Sequence, residues 1–178
     1  MNGEVLDVPS LKAPGFIKAA ADGKFADASA ELDGDLVLTV RSSTPEYKGF
    51  RVSFASGTIS GAYSCAGGGS MPFSRGCFKA KFEVPTSDEF VKVRIPFNQF
   101  SDMWSPATGD HTKECKDDKS VCPTSRNLRT IKRLEVWAEG ALGKVQLEVA
   151  SISAESSATK SMAKVSPPAP YNTCKAAP

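Results

Sequence analysis

Residues 91–100, VKVRIPFNQF, constrain this chain more than any other stretch. Val91, Val93 and Ile95 alternate with Lys92 and Arg94, so a strand carrying them buries one face and leaves the other in water. Pro96 has no N–H to give to a ladder and ends the strand. Phe97 and Phe100 follow at a tight break, and Ser101, Asp102, Met103 and Trp104 open a long polar segment. A strand that stops on proline and then turns two phenylalanines inward belongs at the rim of a sheet-built core. It carries no catalytic pattern.

The same period of two recurs along the chain. Leu36, Leu38 and Val40 alternate with Val37, Thr39 and Arg41, and Phe50, Val52 and Phe54 alternate with Arg51 and Ser53. Phe78, Ala80, Phe82 and Val84 alternate with Lys79, Lys81 and Glu83 before Pro85 closes the run. Ile131, Leu134, Val136 and Ala138 mark a further strand, and Val145, Leu147 and Val149 the last, with Gly140 and Gly143 turning between them. Helical periodicity is scarce; residues 19–35 hold at most a helical turn. The pattern predicts an all-β domain over residues 1–154, an antiparallel β-sandwich or jelly roll. From residue 155 the composition shifts to Pro, Ala and Ser, which cannot bury enough surface to fold alone. Residues 155–178 therefore read as an extended tail.

A formal charge of +2 is too small to argue for nucleic acid, and no apolar run nears the ~20 residues of a membrane span. Residues 1–16 have neither the basic start nor the apolar middle of a signal peptide, so an organellar location requires a leader outside this sequence. His111 is the only histidine. It falls in the long aperiodic segment 101–128, where a general base is poorly held, so no enzyme is expected. His111, Cys115 and Cys122 lack a fourth ligand for zinc. Asp102, Asp110, Asp117 and Asp118 are interleaved with Lys113, Lys116 and Lys119, which argues for a solvated loop over a calcium site. No metal and no cofactor are expected.

Five cysteines remain to be placed. Cys65 with Cys77 and Cys115 with Cys122 each bracket a short loop, and two local disulfides are the simplest of three connectivities. Reduced thiols in a reducing compartment are the alternative, and Cys174 is left free or pairs with another chain. In LEVWAEG, Leu134, Val136 and Ala138 share one face and Glu135, Trp137 and Glu139 the other. An outward tryptophan between two carboxylates suits a sugar platform or a protein-docking spot, unless a second layer covers it.

Several segments together resemble a known domain: Leu11 to Phe16 (LKAPGF), Gly34-Asp35 leading into LVLTVRSS, Tyr47-Lys48-Gly49-Phe50, FKAKFEVP, VKVRIPFNQFSDMW and the closing VQLEVASISA. This set is similar to the domain of the complex I intermediate-associated protein 30 family, over roughly residues 11–154. The family's usual opening, an acidic pair followed by Met-Gly-Gly-x-Ser, is absent, so its first strand is expected to be missing or degenerate. The resemblance implies a galactose-binding-like β-sandwich without catalytic residues. It implies a peripheral subunit or assembly factor for a membrane electron-transport complex, so the partners expected are subunits of that complex. Disulfides suit an oxidising space such as a thylakoid lumen or an intermembrane space. The paired-cysteine loops, which resemble a photosynthetic subfamily and not the family at large, favour the thylakoid lumen over a mitochondrion. Trp137, Glu135 and Glu139 on the sheet, and Lys160, Lys164, Tyr171 and Lys175 on the tail, are the expected partner-binding residues. The alternative function is a carbohydrate-binding module on the face around Trp137.

Overall fold

The computed structural model describes residues 1–57, 65 and 76–157. Among these, the chain forms strands β1 (Asn2–Val5), β2 (Asp7–Val8), β3 (Ala13–Pro14), β4 (Phe16–Asp22), β5 (Asp35–Arg41), β6 (Phe50–Ser56), β7 (Cys77–Lys81), β8 (Val91–Pro96), β9 (Ile131–Glu139), β10 (Gly143–Gln146) and β11 (Glu148–Glu155). One short helix, α1 (Ser125–Arg129), precedes β9. The four-stranded sheet runs β4-β9-β6-β7 and the three-stranded sheet β11-β5-β8, with β1 on β10 and β2 on β3 as two-stranded additions. Every pairing is antiparallel.

The alternation seen in the sequence sets the core. Phe50, Val52 and Phe54 of β6, Phe78 and Ala80 of β7 and Val136 and Ala138 of β9 join Leu36, Leu38 and Val40 of β5 and Ile95 of β8 in one buried cluster. The two larger sheets thus face each other in a sandwich-like arrangement. Pro96 ends β8, and the 3-10 turn Phe97–Gln99 swings Phe97 and Phe100 into that core, both fully buried. Their rings meet Phe54 at centroid distances of 6.2 and 5.3 Å.

Position in the sheet changes what the alternation delivers. β8 pairs with β5 alone among the described strands, so its second edge has no strand to cover it. Ile95 is buried, but Val91 and Val93 are only half-buried. The expectation of a nearly buried Val93 is corrected accordingly. β5, flanked on both sides, is the centre of its sheet, and its Leu38 and Val40 are fully buried.

Two local expectations are also corrected. Residues 19–21 lie in β4 rather than in a helical turn, because the ladder to β9 supplies partners that an isolated turn cannot. The helical turn of that segment is confined to Ser29–Glu31. Residues 2–5, ahead of the stretch the resemblance covers, form β1 against β10. β11 extends to Glu155, whose carboxylate takes Lys92 at 3.1 Å and also Arg94. The strand therefore ends one residue beyond the boundary read from composition.

Candidate functional site

Period-two geometry puts Arg51, Ser53 and Ala55 of β6, Lys79 of β7, and Glu135, Trp137 and Glu139 of β9 on the outer face of the four-stranded sheet. That face is not open. The connection from β8 to α1, expected to be irregular, lies across it. Lys79 and Ser101 exchange backbone hydrogen bonds at 2.9 and 3.1 Å, and the Asp102 N–H donates to the Val121 carbonyl at 3.0 Å. Ser101 Oγ donates to the Lys113 carbonyl at 2.7 Å. Thr124 and Asn127 form a capping box that starts α1, a signal the sequence carries at helix N-termini.

His111 is part of this fastening. Its Nε2 donates to the Lys79 carbonyl at 2.6 Å, and its Nδ1 lies 3.0 Å from Glu114 Oε2. The expectation that His111 sits in the least ordered part of the chain is corrected: it is a peg between the connection and β7. The two expected local cysteine pairs, Cys65–Cys77 and Cys115–Cys122, are bonded. The first is sealed with Ala55, Trp104 and Trp137 in a small second core on this face.

Trp137, Glu135 and Glu139 are consequently buried, at 1%, 1% and 6% exposure, and the expected outward platform does not exist. The outer layer covers them, and each is committed within it. Trp137 Nε1 donates to Ser53 Oγ at 2.9 Å, and Ser53 Oγ donates to Glu135 Oε2 at 3.2 Å. Glu135 also holds Lys18 Nζ at 3.0 Å, over the Trp137 ring. Lys79 Nζ is 2.6 Å from Glu139 Oε1 and lies 4.0 and 4.9 Å from the ring centroids of Trp137 and Trp104. Burial holds the Lys79 ammonium below the ordinary lysine range, and the neighbouring Glu139 only partly offsets it.

Arg51 ties the connection down a second time. It donates to the Gly109 carbonyl at 3.0 Å, to the Glu139 carbonyl at 2.7 Å, and to Asp110 Oδ1 at 2.6 Å. Burial pushes the Asp110 carboxyl up, but the hydrogen bond and charge of Arg51 outweigh it, and the net shift is downward. Gly109 adopts φ +70° here and packs against the Glu139 carboxyl, where a Cβ has no room.

Sequence reasoning missed this polar layer because its partners lie far apart in the chain; Lys79 and Glu139 are separated by 60 residues. The available signal was composition. An outer face that mixes Ser53, Ala55 and Trp137 among its charges is too apolar for one bathed in water.

Beside the fastened connection lies a polar cleft of about 500 Å³, lined by Lys81, Gln99, His111, Glu114, Lys116 and Lys119. Among the described residues no three His, Cys, Asp or Glu side chains converge as a metal-binding group, and no helix is long and apolar enough to cross a membrane. Lys160, Lys164, Tyr171 and Lys175 lie outside the described residues. No protein-family model matches the chain, and no curated protein matches it.

Proposed function

We propose that this protein is a non-catalytic docking module, a jelly roll of the galactose-binding-like type related to the complex I intermediate-associated protein 30 family. It serves as an assembly factor or peripheral stabilising subunit of a respiratory or photosynthetic membrane complex. The observation that carries this reading is how the outer face is used. Lys79, Glu139, Glu135 and Trp137, the groups best suited to chemistry or sugar stacking, are spent on one another and on neighbouring strands under the covering connection, which Arg51 holds at Gly109 and Asp110. A surface braced in this way keeps one shape, which suits a docking module.

Two further features support the reading. The unit that most specifically carries the resemblance, residues 93–100, is the one that turns Phe97 and Phe100 into the core, as a shared fold requires. The two loop disulfides suit an oxidising space such as a thylakoid lumen, which we favour over a mitochondrion. The carbohydrate reading loses its platform with the burial of Trp137.

The test is co-migration. Tagged full-length protein is recovered from mildly solubilised membranes of its own cells and resolved on a native gel. The expected result is migration with an electron-transport complex whose subunits are identified in the same band. Recovery only as the free protein, from cells in which those complexes are actively assembled, refutes the proposal.

A further inference from the structure

The two sheets end on the same side of the molecule. β7 is the last strand of one and β8 the last of the other. Between these edges runs a second cleft of about 380 Å³, lined by residues of β7 and β8 and by Glu83. It shares Lys81 and Gln99 with the 500 Å³ cleft under the fastened connection, so the two make one continuous trough along the open seam of the fold.

The charge of this trough is predominantly positive. Lys81, Lys116 and Lys119 make no ion pair among the described residues, whereas Lys18, Lys48, Lys79, Lys92 and Lys113 each hold a carboxylate. Two acids line it against these three lysines, Glu83, which holds Lys48 at 3.3 Å, and Glu114, which lies 3.0 Å from His111 Nδ1. The lysine positions are also fixed. The Cys115–Cys122 bond closes the loop that bears Lys116 and Lys119, and the His111 hydrogen bond pins its base to β7. Lys79 spends its outward N–H and C=O on Ser101, and two residues on Lys81 turns the same way with nothing opposite it in that ladder.

We infer that this trough is the seat of an acidic, extended segment of the protein partner. Its three lysines line the larger cleft and Lys81 continues into the smaller one beside an open strand edge, a combination that suits an extended acidic chain better than one compact anion. The exposed backbone edge at Lys81 offers such a chain hydrogen bonds as well as charge. The inference takes the partner's nature from the docking reading above, and names the surface and the chemistry that would meet it.

The probe is a fluorescein-labelled decapeptide of alternating Glu and Ser, titrated by anisotropy with full-length oxidised protein at low salt. Lys81→Glu/Lys116→Glu/Lys119→Glu should weaken binding by about tenfold or more, since charge reversal at three sites adds repulsion to lost attraction. The charge-matched control Lys24→Glu/Lys132→Glu/Lys144→Glu, at exposed positions away from the trough, should stay within about twofold of wild type. The corresponding triple Lys→Gln variant, which alters the fold least, should fall between. Equal weakening by both Glu triples means diffuse charge attraction and overturns the inference. So does tighter binding of tripolyphosphate than of the peptide, which marks a small-anion site. Lysine-dependent binding of anionic vesicles with no peptide binding overturns it in favour of a lipid surface. Peptide binding without co-migration on a native gel would keep the trough and remove the assembly reading.

Discussion

Glu139→Gln tests the outer layer most directly. The substitution keeps the side chain's shape and an oxygen that can accept from Lys79, but removes the charge opposite a buried ammonium. The two side chains are 1% and 8% exposed, so water cannot replace what is lost. Breaking one half of a buried pair costs about 3–5 kcal/mol. The indole rings of Trp137 and Trp104 stay against Lys79 Nζ and retain part of the stabilisation, which places the expected cost near the low end, about 3 kcal/mol. With a urea slope of roughly 2 kcal/mol per molar, the unfolding midpoint should drop by about 1.5 M.

The defect should depend on pH in a known direction. Burial already lowers the Lys79 pKa, and Glu139 is among the influences that raise it, so the variant's value lies lower still. Between the depressed folded value and the ordinary unfolded one, the unfolded chain binds more protons, and stability rises with pH. The penalty is full at pH values below the folded pKa and shrinks as pH climbs through it. Urea titrations from pH 6 to 10, with Cys174→Ser in both proteins to keep its thiolate from attacking the disulfides, should show the gap narrowing. The double variant Lys79→Met/Glu139→Leu, which leaves no orphaned charge, should recover most of the loss. A single-variant loss under about 1 kcal/mol, a pH-independent gap, or a double variant worse than the single would each refute the sealed-pair argument.

Four other outcomes are expected. Val93→Asp on the half-buried edge should fold with a lowered Tm, whereas its cross-strand neighbour Leu38→Asp, in the fully buried central strand, should fail to give soluble native protein; circular dichroism melts distinguish them. Replacing Cys115 and Cys122 together with Ser should cost roughly 2.5 kcal/mol for an eight-residue loop by loop-closure entropy, read by urea unfolding. Alkylation of the non-reduced wild type should leave both bonded pairs unlabelled. Tyr47, whose hydroxyl donates to the Ala141 carbonyl at 2.9 Å, has its pKa pushed up to about 12 by burial, so an ultraviolet titration should show a tyrosine that ionises well above pH 10. The folded value exceeds the unfolded one, so the associated stability is present below pH 10 and is lost as pH rises toward 12.

The alternation of Leu36-Leu38-Val40, Phe50-Val52-Phe54 and Phe78-Ala80-Phe82 determined which side chains form the core, because a period of two is a property of one strand by itself. Pro96 likewise fixed where β8 stops, and short spacing made the two cysteine pairs legible. How deeply each apolar residue is buried was not legible, since that depends on neighbours. Val93 and Ile95 obey the same parity, yet the edge position of β8 leaves one half-exposed and covers the other. The outer face escaped the sequence for the same reason. Whether Trp137 meets water or a second layer is decided by residues 101–122 folding back across the sheet, held by His111, Arg51 and a lysine that finds its carboxylate 60 residues away. The trough arose that way too: its lysines come from β7 and from the disulfide-closed loop, and only the tertiary fold brings them to line one cleft.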